Sequence, residues 1–203
     1  MQTDEQLVSQ LKKKNTEAID ELYKRYSQKL YVFFKNIMRN RNPEDLVHDV
    51  FIKVIENAPK FNPKKASFNT WMFRIARNLC IDDVRREKKL SVVSLDKESR
   101  SIDAGEGSTG AFVESIEDTS RTVEDSLYIT TIFRTINECI GKLEKEQEKQ
   151  AVLLYYISGK VYREIGDITG KSISMVKKRI NSAQEKMRRC LESRGIKSFQ
   201  KNE

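Results

Sequence analysis

The stretch YREIGDITGKSISMVKKRINSAQEKMRR, residues 162–189, decides how this chain is read. Two helical patterns meet in it at Gly170. The first sets Val161, Ile165 and Ile168 at helical spacing and ends at that glycine, which suits the left-handed backbone found past a helix end. The second begins at Ser172, whose hydroxyl can accept a hydrogen bond from a free backbone N–H, and carries Val176, Ile180, Ala183 and Met187 as one apolar stripe. Its other face is Ser174, Lys177, Lys178, Asn181 and Ser182. Two helices joined by a tight glycine-containing turn, the second with a polar and basic outer face, make the helix-turn-helix whose second helix enters the major groove of DNA. The plain alternative is a helical hairpin with a solvated basic face. Small Gly166, where the first helix must approach the second, and the cations Lys171, Lys177, Lys178 and Arg179 around the turn favour DNA.

The chain has 203 residues, enough for one or two domains with modest cores. One third of it is charged, and it holds only 8 Gly and 3 Pro, so helices are favoured over sheets. The N-terminus MQTDEQLVSQ is polar, unlike a secretory signal, and the apolar run from Ala151 to Ile157 is too short to span a bilayer. A cytoplasmic protein is expected. Cys80, Cys139 and Cys190 are odd in number and widely separated, which suggests neither a disulfide framework nor a zinc site. His48 is the single histidine and has no ligand cluster around it, so an exposed helical histidine is expected rather than a metal ligand.

Charge divides the chain into three. Residues 1–90 hold 19 Lys/Arg against 12 Asp/Glu, residues 91–125 hold 3 against 9, and residues 126–203 hold 16 against 9, giving +7, −6 and +7. The acidic strip contains Gly105, Gly107 and Gly110, lacks a sustained apolar period, and reads as a flexible linker. Fully extended it reaches about 120 Å at roughly 3.5 Å per residue, several times one turn of DNA. The fold class that follows is all-α: a helical domain at 1–90, the acidic linker at 91–125, and a helix-turn-helix domain at 126–203.

Helical periodicity dominates the N-terminal domain. A helix over about residues 15–38 gathers Ile19, Leu22, Tyr23, Tyr26, Leu30, Phe33, Phe34 and Ile37 on a wide apolar face. The next opens at Asn42-Pro43-Glu44-Asp45, with a capping residue, a first-turn proline and two acids at the positive helix end. Its core stripe is Leu46, Val47, Val50, Phe51, Val54 and Ile55, opposite Asp45, His48, Asp49, Lys53 and Glu56. The third, SFNTWMFRIARNLCIDDVRREKK, is capped by Ser67 and sets Arg74, Asn78, Ile81 and Arg85 at four- and three-residue steps beside Arg77 and Arg86. Arginines can hold phosphates, and an asparagine can read a base edge. Phe68 and Trp71 read mainly as core. Phe61, in a loop beside Lys60, Lys64 and Lys65, is the aromatic expected to stack on unpaired bases.

The succession PEDLVHDVFIKV, FNTWMFRIARNLCIDDVRR and YREIGDITGKSISMVKKRINSAQEKM, in this order and split by an acidic linker, resembles the small two-domain sigma factors of the extracytoplasmic-function type. The resemblance covers nearly everything outside the linker. It implies a bacterial transcription-initiation factor that binds core RNA polymerase and promoter DNA, works as a monomer outside the holoenzyme, and needs no cofactor, metal or small-molecule substrate. Asp45, His48, Asp49, Ile52 and Lys53 would then face the polymerase. Phe61, Lys64, Lys65, Arg74, Arg77, Asn78, Arg85 and Arg86 would read and open the −10 element. Ser172, Ser174, Met175, Lys177, Lys178, Arg179 and Ser182 would read the −35 element as duplex. Many relatives are restrained by an anti-sigma protein, so such a partner belongs to the expectation. Lys171 stands where the family commonly has an apolar residue, and Ser182-Ala183-Gln184 where a basic segment is usual, so −35 preferences do not carry over.

Two rival readings explain less. Tyr23, Arg25 and Ser27 match the spacing of a serine-recombinase nucleophile motif, but they fall within one amphipathic helix rather than at a strand end. A conventional helix-turn-helix regulator, reading duplex DNA without polymerase, accounts for the C-terminus and leaves the aromatic, cationic third helix without a purpose.

Overall fold

The computed structural model describes residues 2–13, 15, 17–38, 40–93 and 123–196. Among them there are helices and turns and no strand. Most of the expected linker, residues 94–122, lies outside the described residues, as does the C-terminal tail from residue 197.

The described residues of the N-terminal half form the helices α1 (Asp4–Lys12), α2 (Glu17–Ile37), α3 (Pro43–Asn57) and α4 (Phe68–Val93), with a short 3-10 turn at Ala58–Lys60. The wide apolar face of α2 is covered as its sequence demands: Leu22, Leu30, Phe33 and Phe34 are fully buried, and Phe33 meets Phe73 of α4 edge-on at 5.6 Å. At the start of α3 the side chain of Asn42 accepts from the N–H of Glu44 at 3.0 Å, with Pro43 in the first turn. Ser67 does the same for α4, accepting from the N–H of Thr70 at 3.3 Å.

Helix α1 has no counterpart in the sequence reading. Thr3 and Gln6 form a reciprocal capping box at its start, and Leu7 and Val8 are buried. Asp4 ties it to α2, pairing with Arg25 at 2.8 Å and accepting from the Tyr26 hydroxyl. A helix with two buried apolar residues shows too little periodicity to be recognised before its neighbour is in place.

The C-terminal half holds α5 (Val123–Gly141), α6 (Glu146–Tyr156), α7 (Tyr162–Thr169) and α8 (Ile173–Glu192). Ile165, Ile168, Val176, Ile180, Ala183 and Met187 form its core with Val152, Leu153 and Leu154 of α6. The two halves also touch. Helix α4 packs on α7, and α2 on α5 and α6, so one buried cluster runs through both.

Three expectations are corrected. Cys139, near the end of α5, is disulfide-bonded to Cys190 of α8 with their Cα atoms 5.8 Å apart, where the sequence suggested no bridge. Their separation along the chain concealed that α5 and α8 lie side by side. Cys80 is free and buried, and burial pushes its thiol up to about 12. Ile55, placed in the core stripe of α3, is 51% exposed, and Val161, placed in the apolar pattern of α7, is the exposed residue preceding that helix.

Candidate DNA and protein interfaces

The hairpin is built as its residues require. Gly170 has φ 66°, ending α7 in the left-handed region, and the N–H of Lys171 donates to the carbonyl of Gly166 at 3.1 Å. A Cβ on Gly166 would lie 2.7 Å from the carbonyl oxygen of Lys171, so glycine is what permits the approach. The hydroxyl of Ser172 accepts from the N–H of Met175 at 3.4 Å and starts α8.

On α8, Ser172, Ser174, Met175, Lys177 and Lys178 are exposed together. The Lys177 ammonium also lies over the ring of Tyr162 at 5.6 Å, which restrains it. Arg179 is half-buried. Ser182 turns inward, its hydroxyl donating to Glu148 at 2.9 Å, so that group holds the fold rather than facing solvent. Beside Ser174 the sequence reading missed Ile173, 47% exposed in the first helical turn, where an aliphatic side chain can meet a thymine methyl. Its apolar character was the signal, masked because an apolar residue reads as core by default.

On α4, Arg74, Asn78, Arg85 and Arg86 are exposed, and Arg85 approaches Asp82 at 3.7 Å. Arg77 is half-buried with its Nε enclosed and unpartnered; burial, aided by nearby Arg179, moves its pKa down. Lys64 and Lys65 are exposed in the turn before α4, a turn closed by Asn62 through its side chain to the N–H of Lys64 at 2.9 Å.

Phe61 does not have the exposure its stacking role needs. It is 5% exposed, with Phe68 and Trp71 against its ring at 6.2 and 5.1 Å, and Lys12 of α1 donates to its carbonyl at 2.9 Å. The unanticipated α1 is part of the reason: it closes over the loop. Trp71, read as core, is only half-buried and is the ring of this cluster that solvent reaches.

The outer face of α3 carries Asp45 and His48 exposed, with the His48 ring stacked 5.8 Å from Tyr23. Asp49 and Lys53 are half-buried; Arg41 reaches Asp49 at 3.6 Å and the buried Asp83 of α4 at 2.8 Å. Between these charges Ile52 is 53% exposed next to exposed Ile55. Adjacent apolar side chains rimmed by charge are what a protein-docking patch looks like. The described residues thus present such a patch and two cationic helix faces. Among the described residues no group of side chains could hold a metal ion, and no helix is long and apolar enough to cross a membrane.

Comparison with known proteins accounts for both halves. The family description Sigma-70 region 2 matches residues 22–90, and Sigma-70, region 4 matches residues 133–187. The ECF RNA polymerase sigma factor SigW of Bacillus subtilis (strain 168) is 29% identical over 91% of this chain and 94% of its own length. The ECF RNA polymerase sigma factor SigK of Mycobacterium sp. (strain KMS) is 24% identical over 91% and 89%. Among solved structures, CnrH in complex with the cytosolic domain of CnrY has a TM-score of 0.60 at 20% identity, covering 94% of this chain and 97% of that one. The sigma factor RpoE in complex with the anti-sigma factor NepR from Bartonella quintana has a TM-score of 0.60 at 18% identity, covering 85% and 96%.

Proposed function

Since the chain belongs to the sigma-70 family, as a promoter-directing RNA polymerase sigma factor of the ECF type, we propose that its three surfaces divide the work of transcription initiation among them. The patch of Asp45, His48, Asp49, Ile52 and Lys53 docks on core RNA polymerase, with Ile55 extending it. The exposed Arg74, Asn78, Arg85 and Arg86 of α4, with Lys64 and Lys65 before it, hold the −10 element as it opens. The outer face of α8 reads the −35 element as duplex.

Opening needs no catalytic group, and sigma factors are not enzymes. A surface that binds the separated strand better than the paired one shifts the equilibrium by that difference in affinity. Arginines supply phosphate contacts, Asn78 a base-edge contact, and half-exposed Trp71 takes the stacking role that buried Phe61 leaves. Polymerase and promoter place the factor in the cytoplasm. CnrH and RpoE are described with protein partners, one of them named an anti-sigma factor, and we extend that class of partner to this chain.

The observation that carries the assignment of surfaces is the pairing of a cationic ridge on α4 with an apolar, charge-rimmed patch on α3, since a regulator that only reads duplex DNA has use for neither. The test is gel filtration with core polymerase, together with promoter DNA carrying a fluorescent base at −10. Asp49→Arg should weaken co-migration, whereas Asn78→Ala should spare it and impair strand opening. The reverse order would exchange the two surfaces, and tight binding to palindromic duplex with no polymerase complex would leave a conventional regulator.

A further inference from the structure

A cavity of about 390 Å³ lies between α2 on one side and α5 and α6 on the other. None of the described residues that line it has been given to polymerase or to promoter DNA. Its walls are apolar: Val32 of α2, Phe133, Ile136 and Ile140 of α5, and Val152 and Leu153 of α6. Val152 and Leu153 are fully buried and form its floor, while exposed Lys24 marks its mouth. Side chains normally close such a space, because a cavity in a core costs stability roughly in proportion to its volume. The size falls within the roughly 300–1,000 Å³ of small-molecule sites. An apolar cavity of about 150 Å³ takes up benzene, so this one has room for an aliphatic chain of on the order of ten carbons.

The polar part of the lining is of one kind. Lys24, Arg25, Gln28 and Lys29 follow one another at helical spacing on the face of α2 that ends in Val32, and Asn137 of α5 lines the cavity with them. Among the described residues of the lining there is no carboxylate. Arg25 is already engaged, by Asp4 and Glu21 at 2.8 Å each. The Lys29 ammonium lies over the Tyr26 ring at 5.6 Å, which restrains it and leaves its charge uncompensated. Among the described residues no carboxylate pairs with Lys24 or Lys29.

A ligand complementary to such a lining has an apolar body and a negative head. A cation would be repelled, and a neutral chain would make no use of the lysines. We propose that the cavity is a binding site for a medium-chain carboxylate. Its aliphatic chain lies against Val32, Ile136, Val152 and Leu153, and its head meets Lys24 and Lys29, with the amides of Gln28 and Asn137 as further donors.

Decanoate, kept below the concentration at which it forms micelles, is the probe, titrated calorimetrically into the full-length protein. One saturable site is expected, with a melting temperature that rises with decanoate concentration. Affinity should fall about threefold to fourfold for each methylene removed from the chain. Replacing Lys24 and Lys29 together by Ala should weaken decanoate roughly threefold to tenfold and leave decanol unchanged. Ile136→Trp, which fills the cavity from a half-buried position, should weaken both ligands. Should that variant fail to fold, Phe133→Trp gives a second reading: bromine-substituted decanoate should quench the indole placed in the wall and spare Trp71, which is not part of the lining. Binding that does not saturate, an affinity indifferent to chain length, or equal quenching of both indoles would overturn the site. Decanol binding the wild type as tightly as decanoate would overturn the carboxylate as its ligand.

Discussion

The carbonyl oxygen of Lys171 stands 2.7 Å from where a Cβ on Gly166 would be, closer than a carbon atom and an oxygen can sit without displacement. Because the obstacle is backbone rather than a flexible side chain, Gly166→Ala must move the turn. We expect a loss of about 2 kcal/mol of stability, in the range of overpacked sites. Thermal unfolding should shift down by several degrees, and −35 duplex binding should fall while binding of core polymerase through α3 persists. An unchanged melting temperature would show that the turn has room that its geometry denies.

Lys177 and Lys178 face solvent on α8 at neighbouring positions, and only Lys177 is steadied by a ring, that of Tyr162. If both hold phosphates, the double substitution to Ala should lower the slope of log affinity against log salt by about one unit per lost contact. Binding should weaken on all duplexes alike rather than on one sequence. A slope that does not move would remove both from the contact surface.

How much of this was readable beforehand follows from what kind of information each feature carries. Gly166, Gly170, Ser172 and the stripe Val176, Ile180, Ala183 and Met187 act within one hairpin, and local spacing revealed them; all four stripe residues are buried. Asn42 and Ser67 cap their helices as read. What failed was non-local. Phe61 is buried under Phe68 and Trp71 with α1 reaching its carbonyl from far away in the chain, and the Cys139–Cys190 bridge depends on how α5 packs on α8. Nothing in the sequence says that the carboxylate of Glu164 faces Ser67 and Thr70 of the other half.

The bridge between Cys139 and Cys190 spans a sequence separation of 51, enclosing α6, the hairpin and nearly all of α8. In the chain-entropy picture, closing a loop of this length stabilises the folded state by up to about 4 kcal/mol, by restricting the unfolded chain. Dithiothreitol should therefore lower the melting temperature of the wild type and leave that of Cys139→Ser unaffected. Equal unfolding with and without reductant, with thiol titration confirming that the bond opened, would mean that the packing of Ile140, Leu143 and Leu191 alone holds α5 and α8 together.

Glu148 of α6 is 5% exposed, yet its carboxyl lies below the usual glutamate value. Burial pushes it up, and is outweighed by hydrogen bonds from Lys186 at 2.7 Å and Ser182 at 2.9 Å, with the charges of Lys186 and Lys145 acting in the same direction. A carboxyl whose folded pKa is depressed releases its proton more readily folded than unfolded. Its contribution to stability is therefore complete above the unfolded value near 4.5 and is lost as pH falls through the lower folded value. Glu164 is depressed as well, burial pushing it up and being outweighed by the hydrogen bonds from Thr70 and Lys160, and it adds to the same acid limb. Denaturant unfolding between pH 7 and pH 3 should thus show stability falling in the acid range. Glu148→Gln should be less stable than the wild type at pH 7 and should lose less on acidification, since its amide has no proton to take up. If the two curves stay parallel down to pH 3, the carboxyl of Glu148 has the same affinity for protons folded and unfolded, and the ion pair with Lys186 contributes nothing to holding α8 on α6.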